Sequence, residues 1–280
     1  MRVTNMKHWR MEDVAWDCFD AAKAAPEVVP LIKAASLVER NGREYAGYLC
    51  RVFASDAELC DAIGQWAEEE VQHGDALGKW AQLADPAWDF HAARDRFNAG
   101  YQPPLNTEVS IRGSRTGELI ARCMVETGTS SYYTALGDAC WEPVLKQLCR
   151  HIAADEFRHY KLFYDHMRRY QAQEQIGSTR RVLIAMGRAG ESEDDELAYA
   201  YHCANETADT PYDRARCSAA YFAGAMLYYR FGHVQRGMGM TLKAVGLPAQ
   251  GRLSNVAAKA VWWWLDWRRG RVKSPSTASA

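Results

Sequence analysis

The chain lacks several features that would identify a function at once. None of its eight cysteines forms a C-x-x-C pair, which excludes the usual zinc-knuckle, thioredoxin and rubredoxin motifs. No run reaches the roughly 18 apolar residues that span a bilayer, and the N-terminus lacks the apolar region of a signal peptide. The formal net charge of −1 gives no sign of nucleic-acid binding. We therefore expect a cytoplasmic protein with free thiols, no transmembrane segment and no nucleic-acid partner.

Helical periodicity is the main feature that the sequence does have. Apolar stripes predict four long helices, over about 30–53, 56–84, 116–139 and 142–170. Prolines and glycines in 85–115 predict a long connection, and 171–195 is polar. Helical patterns return at about 195–210, 212–245 and 254–268. The prediction is one all-α domain over 1–280, with a bundle core at about 30–170, a C-terminal helical extension at about 195–270 and a disordered tail at about 271–280.

Each of the four stripes carries a carboxylate where a core aliphatic side chain belongs. These residues are Glu39, Glu70, Glu126 and Glu156. In the second and fourth helices a histidine follows three residues later on the same face, at His73 and His159.

The spacing of these residues repeats within the chain. Glu39 precedes Glu70 by 31 residues and Glu126 precedes Glu156 by 30, so the pattern predicts two similar helical hairpins joined by a crossover. The nearby Glu44 lies off the stripe, and Glu68 and Glu69 do not stand three residues before a histidine.

Four converging buried carboxylates require positive charge, because burying an ionised carboxylate is costly. Two divalent ions balance four carboxylates with both histidines neutral, so we expect no lysine or arginine in the site. Oxygen-rich ligation with one imidazole per metal favours two iron ions, with manganese as the alternative, over zinc. This ligand set is typical of ferritin-like bundles. The predicted fold is therefore a ferritin-like four-helix bundle with a di-metal centre and additional C-terminal helices.

The sequence around these residues resembles the soluble acyl-[acyl-carrier-protein] desaturases. The segments WAEEEVQHGDALGKW (66–80) and LCRHIAADEFRHY (148–160) resemble their second- and fourth-helix motifs, and VETGT (125–129) matches their third-helix Glu-x-x-Thr. The resemblance covers about 35–170. Departures from the family pattern are Val71, Gln72, Phe157 and Tyr160.

The resemblance implies the same six metal ligands and two further site residues. Asp155 would hydrogen-bond and orient His73. Thr129 would lie near the oxygen-binding face as a candidate proton donor, although a helical threonine can also simply bond to a backbone carbonyl.

The resemblance also implies an activity and partners. We expect an O2-activating di-iron oxidoreductase that desaturates or oxidises an acyl chain held by acyl carrier protein, with a ferredoxin-like electron donor, and we expect a homodimer. One alternative is a di-iron hydroxylase or N-oxygenase acting on another small substrate. Another is a ferritin- or rubrerythrin-like protein that oxidises iron or removes peroxide. The segment WWWLDWRRGRVK (262–273) suits either an acidic carrier or membrane surface, or an ordinary solvated helix end.

Overall fold

The structure is a computed structural model that describes residues 8–101, 107–191 and 195–272. Every regular element in these ranges is helical, which confirms the all-α prediction. Short 3-10 helices lie at Met11–Asp13, Trp16–Cys18 and Ala21–Lys23. The α-helices are α1 (Val29–Glu39), α2 (Gly42–Val52), α3 (Ala57–Ala84), α4 (Phe90–Gly100), α5 (Arg115–Ala139), α6 (Pro143–Glu174), α7 (Ser178–Gly190), α8 (Asp195–Asn205), α9 (Arg214–Met226), α10 (Phe231–Ala244) and α11 (Arg252–Val272).

The two longest helices of the bundle, α3 and α6, begin at clear sequence signals. Asp56 caps α3, where its side chain accepts a hydrogen bond from the Leu59 amide. Glu142 caps α6 directly before Pro143, which suits the first helical turn because it needs no amide partner there. The buried Glu142 carboxylate also accepts a hydrogen bond of 2.7 Å from Trp80 Nε1 of α3, so this cap joins two helices.

The prediction of one continuous helix over 30–53 is wrong. The segment is divided at Arg40 and Asn41 into α1 and α2. Asparagine and glycine are weak helix formers, and Gly42 also permits a close approach. A Cβ at Gly42 would lie 2.5 Å from Glu70 Cβ, and one at Gly74 would lie 2.6 Å from the Arg40 amide nitrogen. The junction therefore lies directly against α3, immediately after Glu39.

The predicted connection over 85–115 contains α4, so this part of the prediction is wrong. Asp89 caps α4 by accepting hydrogen bonds from two backbone amides. Phe90, Ala93 and Phe97 form its buried face at helical spacing. The prolines and glycines on either side obscured this short stripe. The polar stretch after residue 170 likewise contains α7, of which Ala185 is buried.

The C-terminal helices follow the predicted regions with two differences. The predicted helical stretch 212–245 consists of α9 and α10, with a break between them. Helix α11 continues to Val272, two residues into the predicted tail. The rest of that tail, 273–280, lies outside the described residues.

Helices α1, α3, α5 and α6 are joined by direct packing of α1 on α3, α3 on α6 and α5 on α6. Two apolar clusters fill the space along them. One includes Ile63, Trp66, Leu119 and Phe163. The other includes Ile32, Leu77, Trp80, Leu136 and Ile152. Along α3 and α6 the polar candidate site lies between these two clusters. Among the described residues, no helix combines the length and apolar character that crossing a membrane requires.

Candidate metal centre

All six residues singled out from the sequence stripes come together between α1, α3, α5 and α6. Glu39 is the last residue of α1, Glu70 and His73 lie on α3, Glu126 on α5, and Glu156 and His159 on α6. All six are buried, and Glu126 and His73 have no exposed surface. A buried carboxylate or imidazole without compensating charge is unfavourable, so this arrangement calls for a physical explanation.

The six residues form two groups, each able to hold a metal ion. The first is Glu39, Glu70, His73 and Glu156, and the second is Glu70, Glu126, Glu156 and His159. Within each group the ligand atoms lie within 4.8 Å of one another. Because Glu70 and Glu156 belong to both groups, their carboxylates lie between the two positions.

The Nδ1 atoms of both histidines point at the carboxylates. His73 Nδ1 lies 3.2 Å from Glu156 Oε1 and 3.7 Å from Glu39 Oε2. His159 Nδ1 lies 3.1 Å from Glu70 Oε1 and 3.7 Å from Glu126 Oε2. Each imidazole therefore offers the same ring nitrogen to its own group.

Five of these buried ligand atoms have no partner in hydrogen-bonding geometry, although two pairs of them lie only 3.1 and 3.2 Å apart. They are Glu70 Oε1, His73 Nδ1, Glu126 Oε2, Glu156 Oε1 and His159 Nδ1. Buried polar atoms in folded proteins nearly always have partners, so a convergence of orphaned lone pairs marks a place for a ligand. Carboxylate oxygens and imidazole nitrogens are metal donors, so these groups could hold metal ions.

The other nitrogen of each histidine is held by an acidic side chain. His73 Nε2 lies 3.0 Å from Asp155 Oδ2, the contact that the family resemblance implied. Asp155 Oδ2 also accepts a hydrogen bond of 2.7 Å from Trp9 Nε1, and Arg158 contacts its other oxygen. Burial acts to raise the pKa of Asp155, but His73 and Arg158 together lower it to about 2. The carboxylate therefore stays ionised and can fix the His73 tautomer.

Glu69 holds His159 in the same manner. Its Oε2 lies 2.7 Å from His159 Nε2 and 3.1 Å from Arg158 Nη2. Arg158 therefore bridges the two carboxylates that orient the histidines. Glu69 does not have the Glu-x-x-His spacing to His73, so the sequence pattern does not include it in the site. Its partner is the histidine of the other hairpin, which spacing within α3 cannot reveal.

Thr129 lies beside one of the shared carboxylates. Its Oγ1 is 2.6 Å from Glu156 Oε2, and it is also 3.2 Å from the Val125 carbonyl oxygen. The hydroxyl has one hydrogen, so it can donate to only one of these acceptors at a time. The contact with the Val125 carbonyl oxygen is that of an ordinary helical threonine, and the contact with Glu156 places the hydroxyl at the site. The role of Thr129 as a proton donor stays a prediction.

Arg122 corrects the expectation that no lysine or arginine lies in the site. Its Nη2 lies 2.7 Å from Glu126 Oε1, one helical turn away on α5. The guanidinium also lies over the Trp66 ring, 4.6 Å from its centroid. The i, i+4 spacing to Glu126 was the signal that could have identified it.

Tyr133 is a second neighbour that the sequence did not identify. Its hydroxyl donates a hydrogen bond of 2.5 Å to Glu39 Oε1. Tyr133 stands on the same face of α5 as Glu126, two turns along, but the residues that it pairs are 94 positions apart in sequence. Periodicity alone cannot supply that contact.

Two divalent ions would still balance the charge of the site when these neighbours are included. The charged side chains of the site and its immediate partners are Glu39, Glu69, Glu70, Glu126, Asp155, Glu156, Arg122 and Arg158. Six carboxylates and two guanidiniums leave four negative charges, which two divalent ions would balance with both histidines neutral.

The pKa shifts express the same excess of negative charge. Burial raises the pKa of Glu126 to about 7, although Arg122 acts in the opposite direction. Burial and the charges of Glu156 and Glu39 raise the pKa of Glu70. Burial acts to lower the pKa of His73, but the surrounding carboxylates outweigh it and raise that pKa above its usual value. Protons thus compete for the positions that metal ions would take.

A third group of possible metal donors lies elsewhere, at His202, Glu206 and Cys217. Here the carboxylate already has partners, because Arg216 contacts both Glu206 oxygens and His202 Nδ1 lies 2.7 Å from one of them. The Glu206 carboxylate is therefore already neutralised by side chains, unlike the carboxylates between the four helices.

Comparison with known proteins gives no assignment. No protein-family model matches the chain, and no curated protein is significantly similar to it.

Proposed function

We propose that this protein is an oxygen-activating, non-haem di-iron oxidoreductase built on a ferritin-like bundle. The observation that carries the proposal is the pair of residue groups sharing Glu70 and Glu156, with orphaned donor atoms converging between them. Four carboxylates with one imidazole for each ion are hard, oxygen-rich ligands that suit iron, or manganese, better than zinc. The ligand pattern is that of carboxylate-bridged di-metal bundles.

The proposed ligand roles follow from the two groups. Glu39 and His73 would hold one ion, and Glu126 and His159 would hold the other. Glu70 and Glu156 would lie between the two ions. When bound, a pair of ferrous ions supplies the electrons and Lewis acidity that reduce O2 and oxidise an unactivated C–H bond.

The protein would orient the ligands and manage protons around them. Asp155 and Glu69 hold the Nε2 atoms of the two histidines, which leaves Nδ1 directed at the site. Thr129 can hold a proton at Glu156 Oε2 or turn it toward a backbone carbonyl. Tyr133 holds a proton at Glu39 Oε1. Burial of all six ligands excludes bulk water from the reacting atoms.

We further propose that the substrate is an acyl chain on acyl carrier protein, with a ferredoxin-like electron donor and a homodimeric assembly. The support is the resemblance of segments 66–80, 125–129 and 148–160 to acyl-carrier-protein desaturases. The packing of α8 on α1 and of α10 on α5 also favours an enzyme, because iron storage needs only the bundle. A hydroxylase acting on another small substrate would use the same residues.

Metal analysis tests the proposed centre. After anaerobic equilibration with ferrous iron and removal of excess metal, we expect about two iron ions per chain. Glu156→Ala should remove both ions because its carboxylate belongs to both groups, whereas Glu39→Ala should affect one more than the other. Glu58→Ala, a change at an 82% exposed carboxylate of α3, is the control and should retain the metal. Less than one iron per chain in the unchanged protein would refute the proposal.

Product analysis tests the reaction and the substrate. The iron-loaded protein would be incubated with acyl-ACP, reduced ferredoxin and O2, and the masses of the acyl chains would be measured by mass spectrometry. Loss of two hydrogens is expected for a desaturase, and gain of one oxygen would indicate a hydroxylase. Iron oxidation with no change in any acyl chain would instead favour a ferroxidase or peroxide scavenger.

A further inference from the structure

We propose that helix α11 binds to anionic lipid surfaces, lying along them through an exposed apolar stripe. This inference concerns a surface remote in sequence from the six ligand residues, and it holds or fails independently of the proposed function. The stripe consists of Leu253, Val256, Ala260, Trp263 and Trp267, and is called the α11 apolar face.

The α11 apolar face is continuous along the helix. Its members are spaced by three, four, three and four residues, which places them on one side of an α-helix. Val256 is 65% exposed and Trp263 is 69% exposed. Leu253 and Trp267 are about half exposed, at 52% and 44%. A row of large apolar side chains held outward in this way is a feature of interaction surfaces.

The opposite side of α11 is buried and fixes the orientation of the apolar face. Ser254, Ala258 and Leu265 are buried, and α11 packs on α9 and α10. Rotating the helix to hide the apolar face would expose these residues and break that packing. The outward direction of Trp263 and Val256 is therefore set by the tertiary structure.

The charges around the face are cationic. Arg252 and Lys259 are exposed along one edge. Arg268 lies toward the other edge, with its guanidinium 4.1 Å from the centroid of the Phe222 ring and 4.9 Å from that of Trp264. Asp266, exposed on the same edge as Arg252 and Lys259, is the one acidic residue in the sequence of α11, so the cations outnumber it. Helices with tryptophan on one face and lysine or arginine beside it bind at the headgroup level of anionic membranes.

The same charges disfavour a second copy of this chain as the occupant. The two exposed cations on this edge, Arg252 and Lys259, outnumber its one acidic residue, Asp266, so two copies of the face would meet with the same net charge, which opposes association. An anionic headgroup layer accepts these cations and the Trp263 N–H group together, while its acyl boundary accepts Leu253 and Val256. The lipid surface is therefore the partner that fits both features.

Vesicle flotation with the full-length protein tests the proposal. Vesicles of phosphatidylcholine alone are compared with vesicles of the same size that also contain phosphatidylglycerol. We expect binding to the anionic vesicles, weakened by added salt, and little binding to the neutral ones. The double variant Val256→Gln/Trp263→Ser should lower the partition coefficient by about tenfold or more. Lys259→Gln alone should lower it by about fivefold.

Trp141→Ser is the matched control, because Trp141 is 84% exposed at the turn between α5 and α6. It should leave binding within about twofold of the unchanged protein, which is the expectation for a surface change away from the interface. Thermal melting of all variants is measured alongside, to establish that each one folds.

Any one of four outcomes would overturn the proposal. The first is no binding to anionic vesicles at low salt, or equal binding to neutral ones. The second is an equal loss of binding in the Trp141 control. The third is that the unchanged protein is a dimer in solution, the double variant is a monomer, and neither binds vesicles. That result would assign the face to a second copy. Binding of acidic acyl carrier protein through this face, without vesicle binding, would assign it to a protein partner.

Discussion

Arg122 Nη2 lies 2.7 Å from Glu126 Oε1, with the side chains only 11% and 1% exposed. A buried guanidinium thus compensates one of the carboxylates in the candidate metal centre. Removing one partner of such a pair leaves an uncompensated buried charge, which is strongly destabilising. The pair should therefore matter most when no metal ion is present to supply positive charge.

At a pH well above the Glu126 pKa of about 7, where this carboxylate is ionised, we expect Arg122→Met to destabilise the metal-free protein by about 3–5 kcal/mol. The loss should be clearly smaller in the iron-loaded protein, because the ions then neutralise Glu126. Urea unfolding of both forms measures the difference. Arg43→Gln is the control, since Arg43 pairs with Glu68 on the surface and should change little in either form. Equal losses in the two forms would show that Arg122 does not balance the site charge.

The six candidate ligands could be found from the sequence because each interrupts an apolar stripe. A glutamate on a buried face, such as Glu70 or Glu156, is unfavourable unless another group compensates its charge. The same anomaly occurs in both of the matched hairpins. Arg122 could have been found from its i, i+4 spacing to Glu126, but Tyr133 and Glu69 gave no such signal. Their roles depend on which helices become neighbours, and helical periodicity within one segment does not specify that.

The helix boundaries also divide into those that local sequence specifies and those that depend on tertiary packing. Helix α3 was predicted almost to its ends, because a capping Asp56 precedes a long regular stripe. The break after Glu39 was missed because the apolar stripe continues across it. Its cause is the close contact of Gly42 with Glu70 and of Gly74 with Arg40, which is visible only once α2 and α3 are packed together.

Asp155→Asn should weaken metal binding while leaving all six ligands in place. The carboxylate lies 3.0 Å from His73 Nε2, and the neutral amide would orient the imidazole less strongly. Loss of such a partner typically costs about 10–100-fold in metal affinity. Competition with a metal-sensitive dye measures the affinity. Asp165→Asn is the control on the same helix, at a half-exposed carboxylate paired with Lys161. Equal affinities for the Asp155 variant and the unchanged protein would contradict the orienting role.

Gly74→Ala should destabilise the protein and disturb the junction after Glu39. The added Cβ would meet the Arg40 backbone nitrogen at 2.6 Å, so α1 and α2 would have to move. We expect a loss of about 1–3 kcal/mol in the free energy of unfolding, together with lower iron content. Gly64→Ala in the same helix is the matched control, because its Cβ would meet nothing within 4 Å. That change should stabilise the protein by about 0.5–1 kcal/mol. A neutral result at Gly74 would mean that the two helices are not held this closely.

We expect Glu206, at the contact between α8 and α9, to make part of the protein's stability depend on pH in acid. Hydrogen bonding to Arg216 lowers the pKa of Glu206 from 4.5 to about 2. The unfolded chain therefore binds more protons than the folded one between these two values, so this contribution is present above pH 4.5. It is lost as the pH falls through about 2.

The corresponding experiment is urea unfolding of the protein at several pH values between about 2 and 7. Glu206→Gln should lower stability at neutral pH and flatten the decline in stability on acidification. Arg216→Gln should have a similar effect, because it removes the partner that contacts both carboxylate oxygens. If Glu206→Gln kept the full acid dependence of the unchanged protein, the pairing between α8 and α9 would not be its source.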